Sequence, residues 1–257
     1  MIRASMIGVG VSILASVVLV TMHGQSEPKF TIAPWAAKEV ELVHFDSATD
    51  LIFNRLFANP VWTPQLPYAF RLKNHSAHNI TAVTLIWNTP GGEDQRSTNF
   101  NDSYSRKGLP PLVYASSEAI VVPLGIVSAE VAQQRLGFFS GTNPNLSHAS
   151  RVEVVLDAVI FDDGRVIGED HSHTVDYLTG RKLAAESIVA TVTPALERHE
   201  NLDDLLKRLA AVSGDYYDFA ANATSNYAGK LRHKDEQNRV NYLAQLAALP
   251  ELPKFYR

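Results

Sequence analysis

The chain has 257 residues, with 23 Lys and Arg against 27 Asp and Glu, 46% hydrophobic residues and no Cys. This composition is typical of a globular protein. The absence of Cys excludes disulfide scaffolds, Cys-ligated zinc and iron–sulfur sites, and cysteine nucleophiles. The net charge of −4 argues against a protein that binds nucleic acid by neutralising phosphates, because such proteins carry a concentrated basic surface.

The first 26 residues predict export. Residues 6–22 carry no charged side chain, Arg3 precedes them, and a polar run follows. This is the layout of a signal peptide, and the apolar run is also close to the roughly 20 residues that a membrane-spanning helix needs. A cleaved signal peptide and an uncleaved N-terminal anchor both stay open, with a buried helix as the third interpretation. Either of the first two places the rest of the chain in the periplasm or outside the cell, with membrane contact only through this segment.

Residues 27–175 have the pattern of strands. From Tyr68 to Lys73 large apolar residues alternate with smaller or charged ones, and residues 80–87 run back as a strand that is apolar on both faces. The clearest hairpin is 151–167, in which Asp163-Gly164 is predicted to form a two-residue type I′ turn. Strands joined by turns, with no helix between them, predict an antiparallel, immunoglobulin-like β-sandwich domain.

The segment 89–111 is polar and rich in turn-forming residues. We expect it to form a long loop, because such segments do not supply the apolar pattern of a strand. Its role stays open.

Residues 176–257 change to a helical period and are predicted to form a C-terminal helical region. Asn201 is expected to cap a helix whose leucines fall on one stripe. A helix over 183–192 precedes it, and another ends at Leu249, before Pro250. Each apolar stripe must be buried against the sandwich, another helix or a partner. The chain is thus predicted to divide into an export segment (1–26), a β-sandwich domain (27–175) and a helical region (176–257).

The acidic excess is concentrated in one stretch that ends just before the helical region. Its seven acidic residues, against the single base Arg165, are Glu153, Asp157, Asp162, Asp163, Glu169, Asp170 and Asp176. Carboxylates suit Ca²⁺, and two histidines two residues apart suit a transition metal. The candidate metal ligands are Asp170, His171, His173 and Asp176. The alternative is a set of turn and surface residues without a metal, so we expect no cofactor, or else a divalent cation.

No catalytic motif is complete. His199-Glu200 lacks the second histidine of HExxH, and Ser140 lacks the spacing of a GxSxG nucleophile. The sequence also has no phosphate-binding GxxxxGK[ST] loop. An enzyme is therefore not the leading expectation.

Aromatic residues supply two further candidate surfaces. Trp35, Trp62 and Trp87 could stack on sugar rings, with core packing as the alternative interpretation. A second cluster could form a face that binds a partner, or it could pack helices against the sandwich. This cluster consists of Tyr216, Tyr217, Phe219 and Tyr227.

Residues 70–83 (FRLKNHSAHNITAV) and 157–168 (DAVIFDDGRVIG) resemble the FxLyD-like group of immunoglobulin-like modules in extracytoplasmic bacterial proteins, many of which have no assigned activity. In that group a strand ending in K-N-x-S pairs with a return strand and with a glycine-containing hairpin. The likeness covers about residues 65–170. In this chain the return strand ends in Trp87 and is followed by TPGG instead of leading into the hairpin. The resemblance implies a sandwich outside the cytoplasm and carries over no catalytic residue.

These observations predict a secreted or periplasmic, non-enzymatic protein that acts through contacts with another protein of the cell envelope. Two alternatives stay open. One is a metal-dependent hydrolase that uses residues 157–176, and the other is a carbohydrate-binding module. No nucleic-acid partner is expected, and the oligomeric state is open.

Overall fold

The computed structural model describes residues 29–44, 67–89, 96–123, 125–128 and 151–257. The predicted export segment, residues 1–26, lies outside this part of the chain, as does Trp62. The described residues contain nine strands and four helices. The strands are β1 (Lys29–Ile32), β2 (Val40–His44), β3 (Phe70–Asn74), β4 (Ile80–Asn88), β5 (Arg96–Asp102), β6 (Glu118–Val122), β7 (Gly125–Ser128), β8 (Arg151–Phe161) and β9 (Val166–Gly168). The helices are α1 (Thr174–Glu197), α2 (Leu202–Ala210), α3 (Phe219–Arg232) and α4 (Glu236–Ala247).

The larger sheet has the strand order β1–β8–β4–β5, with β9 also paired to β8. Its strands pair antiparallel except at one edge, where β1 runs parallel to β8 and Lys29 lies opposite Arg151. The sheet is therefore mixed, and the prediction of a wholly antiparallel architecture is wrong at this edge. A parallel pair needs a long connection, which the residues between β1 and β8 supply.

The smaller sheet has the antiparallel order β2–β3–β6–β7. Its strand β3 has the predicted alternation, because Phe70 and Leu72 are buried while Arg71 and Lys73 are partly exposed. Side chains of both sheets, Phe70 and Leu72 from one and Trp87 from the other, belong to a single hydrophobic cluster. The buried run 80–87 confirms that β4 is covered on both faces.

The predicted loop 89–111 contains the strand β5, so that prediction is wrong for residues 96–102. The strand has few apolar side chains, and it forms because its backbone pairs with β4 from Arg96 opposite Asn88 to Asp102 opposite Ala82. The buried amide of Asn99 donates to the carbonyl of Pro123 at 2.6 Å, which ties the strand to the end of β6. Tertiary pairing here overrides the weak strand propensity of Asn and Asp.

The hairpin between β8 and β9 is confirmed, but its turn differs from the predicted type I′ turn. The Gly164 N–H donates to the Phe161 carbonyl, and Phe161 N–H donates to Arg165 O, which leaves a three-residue loop. Gly164 has a φ of 90°, whereas Asp163 is not among the residues with positive φ. This is the geometry of a type I turn followed by a bulged glycine.

The described helices follow the strands, as expected, although a 3₁₀ turn at Pro67 and Tyr68 shows that helical structure is not confined to the C-terminal region. Asn201 caps α2 as predicted, since its side chain accepts a hydrogen bond from the Asp203 N–H at 3.0 Å. The helix α3 has no counterpart among the predicted elements, and α1 begins nine residues before the predicted Leu183.

The four helices share a hydrophobic cluster that includes Ile188, Leu206, Leu231 and Leu246. A separate small cluster joins α1 to the larger sheet, where Leu178 packs with Ile160 and Val166. The helices therefore pack on one another and, through α1, on the sheet. Among the described residues, no helix is both long and apolar enough to cross a bilayer.

Candidate functional site

The predicted metal ligands lie in the turn between β9 and α1. Asp157 of β8 is buried beneath this turn, and its carboxylate accepts hydrogen bonds from the backbone N–H groups of His171 (3.0 Å) and Ser172 (2.8 Å). The Asp170 carboxylate is also buried and accepts the Thr174 N–H at the start of α1. These two buried carboxylates shape the turn, whereas the sequence pattern predicts a solvated connection here when no metal is bound.

The two histidines of the turn face different carboxylates. His171 places Nδ1 3.3 Å from Asp157 and Nε2 3.1 Å from Glu169, whereas His173 places Nδ1 3.1 Å from Asp176. The structure thus brings His173 together with Asp176 but does not gather all four predicted ligands. Metal binding by these four residues stays a prediction.

A different group satisfies the distance criterion for a metal site. Among the described residues, His78, Asp162 and Asp163 alone offer three ligand atoms that all lie within 4.8 Å of one another. Asp162 already accepts the Asn79 amide at 2.8 Å, and Asp163 accepts the Tyr256 hydroxyl at 2.9 Å. Because these carboxylates already have protein donors, the group fits a hydrogen-bonded surface cluster without a cation equally well.

The tryptophans that the structure describes pack in the interior. Trp87 is fully buried, and Trp35 is partly buried against the same hydrophobic cluster. The buried ring of Trp87 offers no open face to a sugar. The carbohydrate alternative would thus depend on Trp35, which is partly exposed, and on Trp62, which lies outside the described residues.

The described structure contains a cleft of about 730 Å³, here called the helix–sheet cleft. It lies between the end of β5, the segment 103–112 and the helices α1, α3 and α4. Small-molecule sites usually have volumes of about 300–1,000 Å³. The residues that matter most to its chemistry are Phe100, Asp102, Tyr177, Arg181, Phe219, Asn222, Asn226, Tyr227, Lys230, Tyr242 and Gln245.

A buried ion pair forms the polar wall of the cleft. Arg181 Nη1 of α1 lies 2.7 Å from Asp102 Oδ2 at the end of β5, and their side chains are only 18% and 6% exposed. The same Nη1 also lies 3.3 Å from the Tyr177 hydroxyl. The other carboxylate oxygen, Asp102 Oδ1, is buried and has no hydrogen-bond partner among the described residues. The pair therefore joins helix to sheet and leaves one strong acceptor unsatisfied.

The surroundings raise the pKa of Arg181 and of two tyrosines of the cleft. Burial acts to lower the pKa of Arg181, but the Asp102 carboxylate and the neighbouring tyrosines outweigh it, so the pKa is raised. Burial raises the pKa of Tyr177, and it raises the pKa of Tyr242 to about 12. Near neutral pH the guanidinium stays charged and the tyrosines keep their hydroxyl protons.

Aromatic side chains form the other wall. The rings of Phe100 and Tyr177 stack with centroids 4.1 Å apart, and Phe219 meets Tyr177 edge-on at 5.6 Å. The aromatic chain continues through Tyr217 to Tyr216, which is 69% exposed. The predicted aromatic cluster thus divides into a part inside the cleft and a part on the surface.

One signal for this site is visible in the sequence. Along α3, Phe219, Asn222, Asn226 and Lys230 repeat at spacings of three or four and so share one helix face. The ion pair, in contrast, joins residues 79 positions apart, one of them in a segment predicted to be a loop. No local pattern announces such a contact.

No family model, no curated protein and no solved structure matches this chain. The resemblance of residues 65–170 to FxLyD-like modules thus stays a prediction.

Proposed function

We propose that this protein is a non-enzymatic binding protein and that the helix–sheet cleft holds its ligand. The observation that carries the proposal is the Arg181–Asp102 ion pair, buried in the wall of the cleft, with Asp102 Oδ1 unpartnered in the part of the chain that the structure describes. A buried ion pair adds little net stability, and interiors seldom leave a carboxylate oxygen without a donor. A ligand that donates a hydrogen bond would satisfy that oxygen.

The protonation states of the cleft favour binding over acid–base catalysis. A general acid or base works best with a pKa near the operating pH. The pKa of Tyr242 is raised to about 12, and the pKa values of Arg181 and Tyr177 are also raised above their usual values, so these groups act as constant hydrogen-bond donors.

The compartment and the domain type belong to the same proposal. The export segment 1–26 supports a periplasmic or secreted protein, either processed or anchored through residues 6–22. The single hydrophobic cluster shared by the two sheets supports an immunoglobulin-like sandwich in residues 27–175, followed by the helical region 176–257.

Titration with the neutral fluorescent probe N-phenyl-1-naphthylamine tests the proposal. Asn226→Trp fills the cleft, and Asn241→Trp is the matched control at an exposed position of α4 outside it. We expect saturable 1:1 binding of the probe. Its affinity should fall at least about tenfold in Asn226→Trp, which corresponds to about 1.4 kcal/mol, and should stay unchanged in Asn241→Trp. Absence of saturable binding, or equal effects of the two variants, would overturn the proposal.

A protein partner is the second candidate, supported by the exposed pair Tyr216 and Tyr217, which are 69% and 53% exposed. Exposed aromatic residues are enriched at protein interfaces, and the exposed Asp215 and Asp218 beside the pair would favour a basic partner. Cross-linking in envelope extracts tests this candidate. Recovery of the same partner by the wild type and by the double variant Tyr216→Ser/Tyr217→Ser would contradict a role of these tyrosines in partner binding.

A further inference from the structure

The charge of the helix–sheet cleft is opposite to that of the chain. The protein has a net charge of −4, whereas Asp102 is the one carboxylate among the described residues that line the cleft, where Arg181 and Lys230 are also found. Because Arg181 and Asp102 neutralise each other, Lys230 gives this lining an excess of positive charge. A concave site with an excess of one sign attracts ligands of the opposite sign.

Along α3, the side chains that line the cleft change from aromatic to cationic. Phe219 lies at its first turn and Lys230 eleven residues later, a separation of about 16 Å at 1.5 Å per residue. Phe100 and Tyr177 surround Phe219 at the aromatic end. Lys230 is exposed and forms no ion pair among the described residues, so its ammonium is available to a ligand.

Neutral hydrogen-bond donors lie between these two ends. The amides of Asn222 and Asn226 project from the same face of α3, where Asn222 Nδ2 already donates one hydrogen bond to the Asp215 carbonyl, and Gln245 of α4 lines the same cleft. The hydroxyl of Tyr242 keeps its proton because burial raises its pKa to about 12. Amide and hydroxyl donors beside a lysine suit the oxygens of an acid group.

We propose that the helix–sheet cleft binds a small organic anion, one whose aromatic or aliphatic body packs at Phe100, Tyr177 and Phe219 and whose acid group meets Lys230. This inference rests on the proposed function and adds the chemical class of the ligand. It requires no partner chain and no metal.

A matched pair of probes tests the ligand class. 8-Anilinonaphthalene-1-sulfonate carries a sulfonate, and N-phenyl-1-naphthylamine is the same aromatic body without it. We expect the sulfonate to bind at least about tenfold more tightly, about 1.4 kcal/mol, and to lose this advantage as salt rises. Lys230→Glu should abolish the difference between the probes, whereas Lys207→Glu, an equal charge reversal at an exposed position of α2, should preserve it.

The outcomes distinguish an error in the proposed ligand class from an error in the proposed binding site. Equal affinities of the two probes, unchanged by Lys230→Glu, would overturn the anion inference and leave the cleft proposal standing. Displacement of the sulfonate probe by inorganic phosphate at matched ionic strength would also overturn the anion inference. The site would then bind an anion whether or not an apolar body is attached to it. Failure of both probes to bind, or binding that Asn226→Trp leaves intact, would overturn the proposed function itself. Circular dichroism of each variant confirms that the fold is retained.

Discussion

Buried carboxylates decide the local structure where the sequence shows only an acidic stretch. Asp157 is 2% exposed and Asp170 8%, yet both belong to the same run as Asp176, whose side chain is 69% exposed. The difference arises because the turn 169–173 lies against β8, so that two of its backbone N–H groups donate to the Asp157 carboxylate. Charge counting finds the stretch but cannot tell which members are buried.

Asp157→Ala should destabilise the protein strongly. The change leaves the N–H groups of His171 and Ser172 without their acceptor beneath the turn, at a cost of about 2–4 kcal/mol in the free energy of unfolding. Asp176→Ala is the matched control, with an expected cost within about 1 kcal/mol because the side chain is exposed near a helix N-terminus. Urea unfolding measures both, and equal costs would contradict the structural role of Asp157.

At the scale of elements, two consecutive residues of α1 add to the contacts by which it packs against α3 and the sheet. A Cβ on Gly180 would lie 2.8 Å from the backbone nitrogen of Ala220, so the glycine permits the close crossing of α1 and α3. The next residue, Arg181, pairs with Asp102 at the end of β5. Displacement of α1 would therefore disturb both walls of the helix–sheet cleft.

Two glycine substitutions should have opposite effects. Gly180→Ala should lower the free energy of unfolding by about 1–3 kcal/mol, because backbone must move to admit the methyl group. Gly229→Ala should raise it by about 0.5–1 kcal/mol, since that position in α3 is open and alanine favours helix. Thermal or urea unfolding compares them, and stabilisation by both would contradict the tight crossing.

The ion pair should behave as a coupled unit in a double-mutant cycle. Arg181→Met leaves the Asp102 carboxylate buried without its cation and should cost about 3 kcal/mol in the free energy of unfolding. Adding Asp102→Leu should recover at least about 1 kcal/mol, because the second change removes the stranded charge. Additive losses in urea unfolding would contradict the pairing.

Elements with a strong local pattern were predictable, and those defined by their neighbours were not. The alternation of β3 and the Asn201 cap of α2 follow from residues close in sequence. The strand β5 has the polar sequence RSTNFND and exists because β4 pairs with it, and the parallel edge at β1 depends on a strand more than a hundred residues away.

At the scale of the molecule, the cleft arises where separately predictable parts meet. Hydrophobic periodicity indicates the cluster of the sheets and the cluster of the helices, and the structure contains both. The space between them depends on contacts such as Arg181–Asp102, which join residues 79 positions apart. The acidic stretch is visible in the sequence, whereas Lys230 of α3 comes to line the same cleft as Arg181 and Asp102 only in the folded chain.

The most direct test of the cleft as the ligand site is an NMR titration of the ¹⁵N-labelled protein with N-phenyl-1-naphthylamine. We predict that the largest changes in chemical shift fall on the side-chain amides of Asn222, Asn226 and Gln245, which line the cleft. The backbone amides of His171 and His173, in the acidic turn, should stay unchanged. Shifts confined to that turn or to Tyr216 and Tyr217, with the cleft amides unaffected, would contradict the account.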